Sequence, residues 1–177
     1  MSNLEKYVPG PATGAKVEKN DGDKWTLIVT RELRHPPARV WEALTDPAQL
    51  AQWAPFDADR NMATVGTVKL TTIGAPQLHV TENTIKRAEA PKLLEYNWGD
   101  FNVRWELEPV GAGTRLTIWQ NIDRRYVSWG AAGWHVCFDV LEHLLSGNPL
   151  GRLTGPEAMK IEGFQRLIGE YTKQFDK

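Results

Sequence analysis

Cysteine is almost missing from this chain: Cys137 is the single one among 177 residues, so no internal disulfide can staple it. Serine is nearly as scarce, at positions 2, 128 and 146, and none stands in a Gly-x-Ser-x-Gly elbow, which removes the usual serine-hydrolase arrangement. No run approaches the ~18 uninterrupted apolar residues of a membrane span, and no charged stretch followed by an apolar one marks a signal peptide, so a cytoplasmic protein outside the membrane is expected. Neither sign of charge dominates. Lys and Arg number 21 against 22 Asp and Glu, and a net charge of -1 offers no field to condense on nucleic acid or anionic lipid. Gly111-Ala112-Gly113 runs into Thr114, Arg115 and Leu116 rather than a third glycine and a helix, so it reads as a hairpin turn and not as a phosphate loop.

Large flat side chains, by contrast, are abundant: eight tryptophans is a heavy allotment for a chain of this length, and such rings dominate both cores and ligand pockets. The chain is long enough to bury roughly 70% of its unfolded surface in one domain. Residues 1–23 hold Pro9, Gly10, Pro11, Gly14, Asn20 and Gly22 with little apolar periodicity, which predicts a loose or surface-laid arm. From Trp25 the text alternates: Trp25, Leu27, Val29 and Leu33 share one phase, as in a half-buried strand, until Pro36 and Pro37 end it.

Two short helices follow. Pro37 to Leu44 carries Val40, Trp41 and Leu44 on one face; Asp46, Pro47 and Gln49 then read as N-cap, N1 and N3 of a helix carrying Leu50 and Trp53 up to Pro55. Strand patterns at 64–72, 77–87, 92–98, 101–109 and 113–120 are joined by short turns, which only antiparallel neighbours permit. The stretch 130–146 is amphipathic at helical spacing. Trp134, Phe138, Leu141 and Leu145 fall on one side, while His135, Asp139, Glu142 and His143 take the opposite arc, expected to be solvated. A last helix is expected from about Pro156 to Phe175, with Thr154 and Glu157 as a capping box and Ile161, Phe164, Ile168, Tyr171 and Phe175 as its stripe. That stripe needs cover from its own domain or from a second copy, which leaves a homodimer open. One strand, two helices, a five-strand meander and a long helix make an α+β layout.

Several of these stretches also carry a family resemblance. The run His35-Pro36-Pro37-Ala38-Arg39-Val40-Trp41-Glu42-Ala43-Leu44-Thr45-Asp46-Pro47, with Leu50 and Trp53 after it, resembles the opening of proteins similar to the C-terminal domain of the activator of the heat-shock-protein-90 ATPase, within the START-like (SRPBCC) helix-grip superfamily. Pro91, Leu94, Tyr96 and Trp98, then Val103 to Pro109, Gly113 to Thr117, and Ala132-Gly133-Trp134-His135 with Leu141, Leu144 and Leu145 follow in the same order, so the resemblance spans about 24–147. It implies a curved antiparallel sheet of about six strands gripping the long helix around an apolar cavity, with 1–23 as an arm and 148–177 as a helical extension. Superfamily members use such a cavity for carriage, sensing or cyclisation, and fold alone does not choose among these.

The expected ligand-binding residues are therefore Trp53, Trp98, Trp105, Trp134, Phe138 and Leu141, which project from elements that such a fold brings around one space. Arg31 breaks the apolar phase of the first strand; it either meets a carboxylate, waits for an anionic ligand group, or snorkels to solvent. His135, Asp139 and His143 have metal-ligand spacing but lie on the polar arc, and neither His35 nor His79 completes a set, so no metal and no cofactor are expected. Cys137, on the apolar flank of its helix, is expected to be an inert buried thiol. The first expectation is a domain that encloses a hydrophobic small molecule without catalysis of its own. A cyclase or hydrolase working in the same cavity is the alternative, as is a chaperone-associated module using the arm or the last helix, although the 23-residue arm has no room for the activator's separate chaperone-binding domain.

Overall fold

The computed structural model describes residues 7–20, 22–73 and 79–176. Its strands are β1 (Ala15–Glu18), β2 (Lys24–Leu33), β3 (Phe56–Ala58), β4 (Gly66–Thr72), β5 (His79–Glu89), β6 (Leu93–Trp98), β7 (Phe101–Val110) and β8 (Gly113–Asp123). The helices are α1 (Pro37–Thr45), α2 (Pro47–Trp53), α3 (Val127–Leu145), α4 (Pro156–Met159) and α5 (Phe164–Phe175), with a single 3-10 turn at Arg124–Tyr126 leading into α3. One antiparallel sheet in the order β1-β2-β8-β7-β6-β5-β4-β3 carries them all. The α+β helix-grip architecture is the expected one, but the sheet has eight strands among the described residues instead of six, because a short strand is added at each edge. Residues 77 and 78 of the expected 77–87 strand lie outside the described residues.

The sheet owes its order to turn chemistry and to period-2 patterning. On β8, Thr114, Leu116, Ile118, Gln120 and Ile122 are buried while the residues between them are half-exposed, and the neighbouring Val103, Trp105 and Leu107 of β7 extend the same buried face. Asp46 caps α2, accepting from Ala48 N at 3.3 Å, and its backbone breaks α1 from α2 so that both can lay Val40, Leu44, Leu50 and Trp53 against one end of the core.

Three features differ from what the sequence suggests. The arm is not loose between Tyr7 and Glu18. Tyr7, Ala12, Ala15 and Val17 pack against the core, and side chains of α5 pin the backbone: Arg166 Nη2 donates to Pro9 O (2.7 Å), Gln174 Nε2 to Ala12 O (2.9 Å), and Glu170 Oε1 accepts from Ala12 N (2.9 Å). Ala15–Glu18 then pairs with β2 as an edge strand. The last helix is not continuous either. Gly163, with φ +90°, starts a new helix at Phe164, and α4 is a single turn whose N-cap is Gly155, with no side-chain cap from Thr154.

The third difference is the polar arc of α3. His135 is only 3% exposed, because the α5 stripe of Phe164, Leu167, Ile168, Tyr171 and Phe175 packs on that side of α3 and covers itself within the chain. The covered groups compensate one another. Arg31 Nη1 lies 2.6 Å from Asp139 Oδ1 and 3.4 Å from Glu142 Oε1, Tyr7 donates to Asp139 Oδ2 (2.5 Å), and His135 Nδ1 shares a hydrogen bond with Tyr171 Oη (2.7 Å). A cluster of this kind ties β2, the arm, α3 and α5 together, and removing one charge leaves its partner desolvated.

Two outcomes are expected from it. Arg31→Met, which keeps the stem and removes the charge, costs about 2 kcal/mol in chemical denaturation, less than a fully buried ion would because both partners keep some solvent. Burial among these groups, opposed by Asp139 and reinforced by Arg31 and Arg166, holds the His135 imidazole below its ordinary value of 6.5. Below that pH the unfolded chain takes up a proton that folded His135 refuses, so stability is complete above 6.5 and declines as pH falls. The melting temperature followed from pH 8 to 5.5 shows that decline, and His135→Asn flattens it.

Candidate functional site

Two glycines one turn apart on α3 shape the space between helix and sheet. A Cβ on Gly130 would lie 2.9 Å from Ile122 Cδ1 and 3.3 Å from Leu27 Cδ2, so its absence is what lets the start of α3 sit down on β2 and β8. A Cβ on Gly133 would meet nothing within 4 Å. Gly130 is thus a point of close contact with the sheet, whereas the position of Gly133 faces open space.

The gap is an open cleft of about 800 Å³. Its sheet wall is Trp98 and Phe101 at the β6–β7 turn with Gln120 and Ile122 at the end of β8; its helix wall is Trp129, Gly133, Trp134 and Cys137. The third wall, Leu153 to Lys160 with Phe164, comes from the segment between α3 and α5, and Pro55 closes one corner. Arg152 holds that segment in place, donating from Nη2 to Asp57 Oδ1 (2.6 Å) and to the carbonyls of Leu50 and Phe56 (3.1 Å each). Trp129, 45% exposed, and Met159 stand at the surface end of the opening.

The aromatic rings form two layers. Trp98, Phe101 and Trp134 front the cleft, with Trp98 edge-on to Phe101 (5.9 Å) and to Trp134 (6.5 Å). Behind them Trp105 meets Trp134 at 5.4 Å and 87°, Phe138 at 5.9 Å, and Trp53 at 6.0 Å. Each indole N–H of these four tryptophans is satisfied: Trp53 by Ala43 O, Trp98 by Thr72 Oγ1, Trp105 by Tyr96 Oη and Trp134 by Gln120 Oε1, at 2.8–3.0 Å. Trp98 and Trp134 are held at both ring edge and N–H, and Phe101 packs on Trp98, so the front layer is a braced wall.

Of the residues expected to bind a ligand, Trp98 and Trp134 lie on this wall. Trp53, Trp105 and Phe138 do not; they are buried behind it as its backing, and Leu141, two turns along α3 from Trp134, is core. Arg31 faces inward as its phase suggests but is occupied by Asp139 and Glu142, away from the cleft. Sequence reasoning missed Gln120, Thr154, Phe101 and Gly133. Gln120 had a readable signal, since it stands in phase with Leu116, Ile118 and Ile122 on β8, a polar residue at an apolar register position.

The ionisable residues lining the cleft, among those described, are Cys137 and Lys160. Lys160 is at the rim and pairs with Glu157 at 3.3 Å. Burial pushes the Cys137 thiol up to about 12. No group of three or more His, Cys, Asp or Glu that could hold a metal occurs among the described residues.

The model of the Activator of Hsp90 ATPase homolog 1-like proteins matches residues 34–146, from the end of β2 through α3. The chain belongs to that family. Among solved structures, the conserved protein of unknown function EF2215 from Enterococcus faecalis superposes with a TM-score of 0.68 at 17% identity, covering 90% of this chain and 89% of that one. CalU16 from Micromonospora echinospora gives 0.63 at 20% identity, covering 90% and 94%, and MLL2253 from Mesorhizobium loti gives 0.58 at 27%, covering 71% and 99%. At the first two identities the likeness is one of fold. No curated protein matches. The matched residues take in α1, α2, β3 to β8 and α3, whereas β1, β2 and the third wall of the cleft lie outside them. No helix among the described residues is long and apolar enough to cross a membrane.

The thiol provides a direct check on the wall. With so small a thiolate fraction, roughly one in ten thousand at pH 8, Cys137 is expected to resist iodoacetamide in the native protein and to react fully in denaturant, read by mass.

Proposed function

We propose that this protein binds a small, mostly apolar molecule in the cleft between α3, the β6–β8 end of the sheet and the 153–160 segment, and that it does no bond-making chemistry there. The observation that carries this reading is the cleft itself: about 800 Å³, walled by fixed aromatic rings, within the size range of small-molecule sites and left open at Gly133 where any other residue would begin to fill it. A hydrolase or cyclase reading has less to stand on, because the lining offers a protonated thiol and a rim lysine as its ionisable groups and no carboxylate or imidazole to move a proton. A chaperone-contact reading would use the arm or the last helix, and the described part of the arm from Tyr7 onward and the apolar stripe of α5 are packed against each other and the core.

Gly133 supplies the test. Gly133→Leu places a side chain into open space on a helix, where leaving glycine also favours folding, so its melting temperature is expected to hold or rise. The neutral fluorescent probe N-phenyl-1-naphthylamine is expected to brighten on binding the native protein and to bind Gly133→Leu at least tenfold more weakly. Absence of binding to the native protein, or equal binding by the variant, would overturn the reading.

A further inference from the structure

Two side chains lining this apolar cleft turn a polar atom to it that has no hydrogen-bond partner among the described residues. Gln120 is 4% exposed and sits on the concave side of β8. An indole N–H can only donate, so the atom that Trp134 Nε1 meets at 2.8 Å is Gln120 Oε1, and the amide nitrogen takes the other end. No acceptor for that Nε2 occurs among the described residues. On a different wall, Thr154 is 7% exposed, and its hydroxyl, which does not cap α4, also has no partner among the described residues.

The oxygen of Gln120 has a structural use as the acceptor for Trp134, whereas its nitrogen, not sealed off from the open cleft, is a donor left for whatever occupies that space. Trp134 fixes the amide in one orientation, so Nε2 is preset as a donor and cannot turn to serve as an acceptor. The cleft interior holds no cation, and its one lysine is at the rim beside Glu157, so an anion would be desolvated there without compensation. A neutral oxygen with free lone pairs fits all of these conditions.

Resting on the reading of the cleft as a ligand site, we infer that it selects neutral, largely apolar molecules that carry a carbonyl oxygen, with Gln120 Nε2 donating to that oxygen. Trp134 acts here twice, as a wall and as the residue that orients the anchor. The Thr154 hydroxyl, able to donate or accept, offers a second polar contact from the opposing segment.

Three probes of one ring size decide it by calorimetry on the full chain: 2-acetylnaphthalene, 2-isopropylnaphthalene and 2-naphthoate. The ketone is expected to bind roughly tenfold more tightly than the hydrocarbon of the same shape, and the carboxylate most weakly. Gln120→Met is expected to abolish the difference between the two, the ketone binding no more tightly than the hydrocarbon in the same variant. Should that variant not fold, the side-chain amide resonance of Gln120, assigned through its proximity to the Trp134 indole, is expected to shift with the ketone and not with the hydrocarbon. Equal affinity for ketone and hydrocarbon, an unmoved amide resonance, tightest binding of the carboxylate, or a preference that survives Gln120→Met would overturn the anchor. If N-phenyl-1-naphthylamine binds and none of the three naphthalenes does, the anchor falls and the ligand site stands; if N-phenyl-1-naphthylamine also fails, both fall.

Discussion

Between Val127 and Leu145 one helix is held on two sides by interactions of opposite character, and the positions of nearly all other elements follow from how it is held. Its sheet side is apolar and aromatic, seated through the missing side chain of Gly130 against Ile122 and Leu27. Its far side carries His135, Asp139 and Glu142, which are covered only because Arg31 reaches across from β2 and because Tyr7 and Tyr171 bring hydrogen bonds from the arm and α5. Close packing sets the distance of α3 from the sheet, and the polar cluster sets what may lie on top of it.

The cleft is a consequence of the same seating. Gly130 lets the start of α3 down onto Ile122 and Leu27, and at Gly133 there is no side chain to enter the open space beside Trp134. The space stays open because the front rings are braced from behind by Trp105, Trp53 and Phe138, and because Arg152 ties the 153–160 segment to α2 and β3 at a distance. The buttressing residues are thus as necessary to the site as the lining ones, although no ligand would touch them.

Much of this was legible beforehand, and the reasons are local. Alternation placed the strands, Pro37 and the Asp46-Pro47 pair started the two short helices, and the phase of Trp134, Phe138, Leu141 and Leu145 showed which side of α3 faces the sheet. Phase also flagged Arg31 as inward, and the same test applied to Gln120 would have found the polar group of the cleft. Depth was not legible. Trp98 and Trp105 both lie on the buried side of the sheet, yet one fronts the cleft and the other lies behind Trp134, since depth depends on which rings from distant elements stack in front.

The amino-acid sequence by itself determined the element types, the antiparallel meander, the face that α3 turns to the sheet and the absence of disulfide or span-length apolar chemistry, because each rests on residue spacing within a few turns or one strand pair. The tertiary structure alone decided that the arm supplies an edge strand, that on α3's polar arc His135 is buried and Asp139 largely covered, and that a cleft opens at Gly133 with Gln120 in its wall. Those outcomes depend on contacts between separate elements, some of them more than a hundred positions apart, such as Tyr7 with Asp139 and Ala12 with Glu170. Local patterns record what a side chain prefers to face; only the assembled chain settles what it meets.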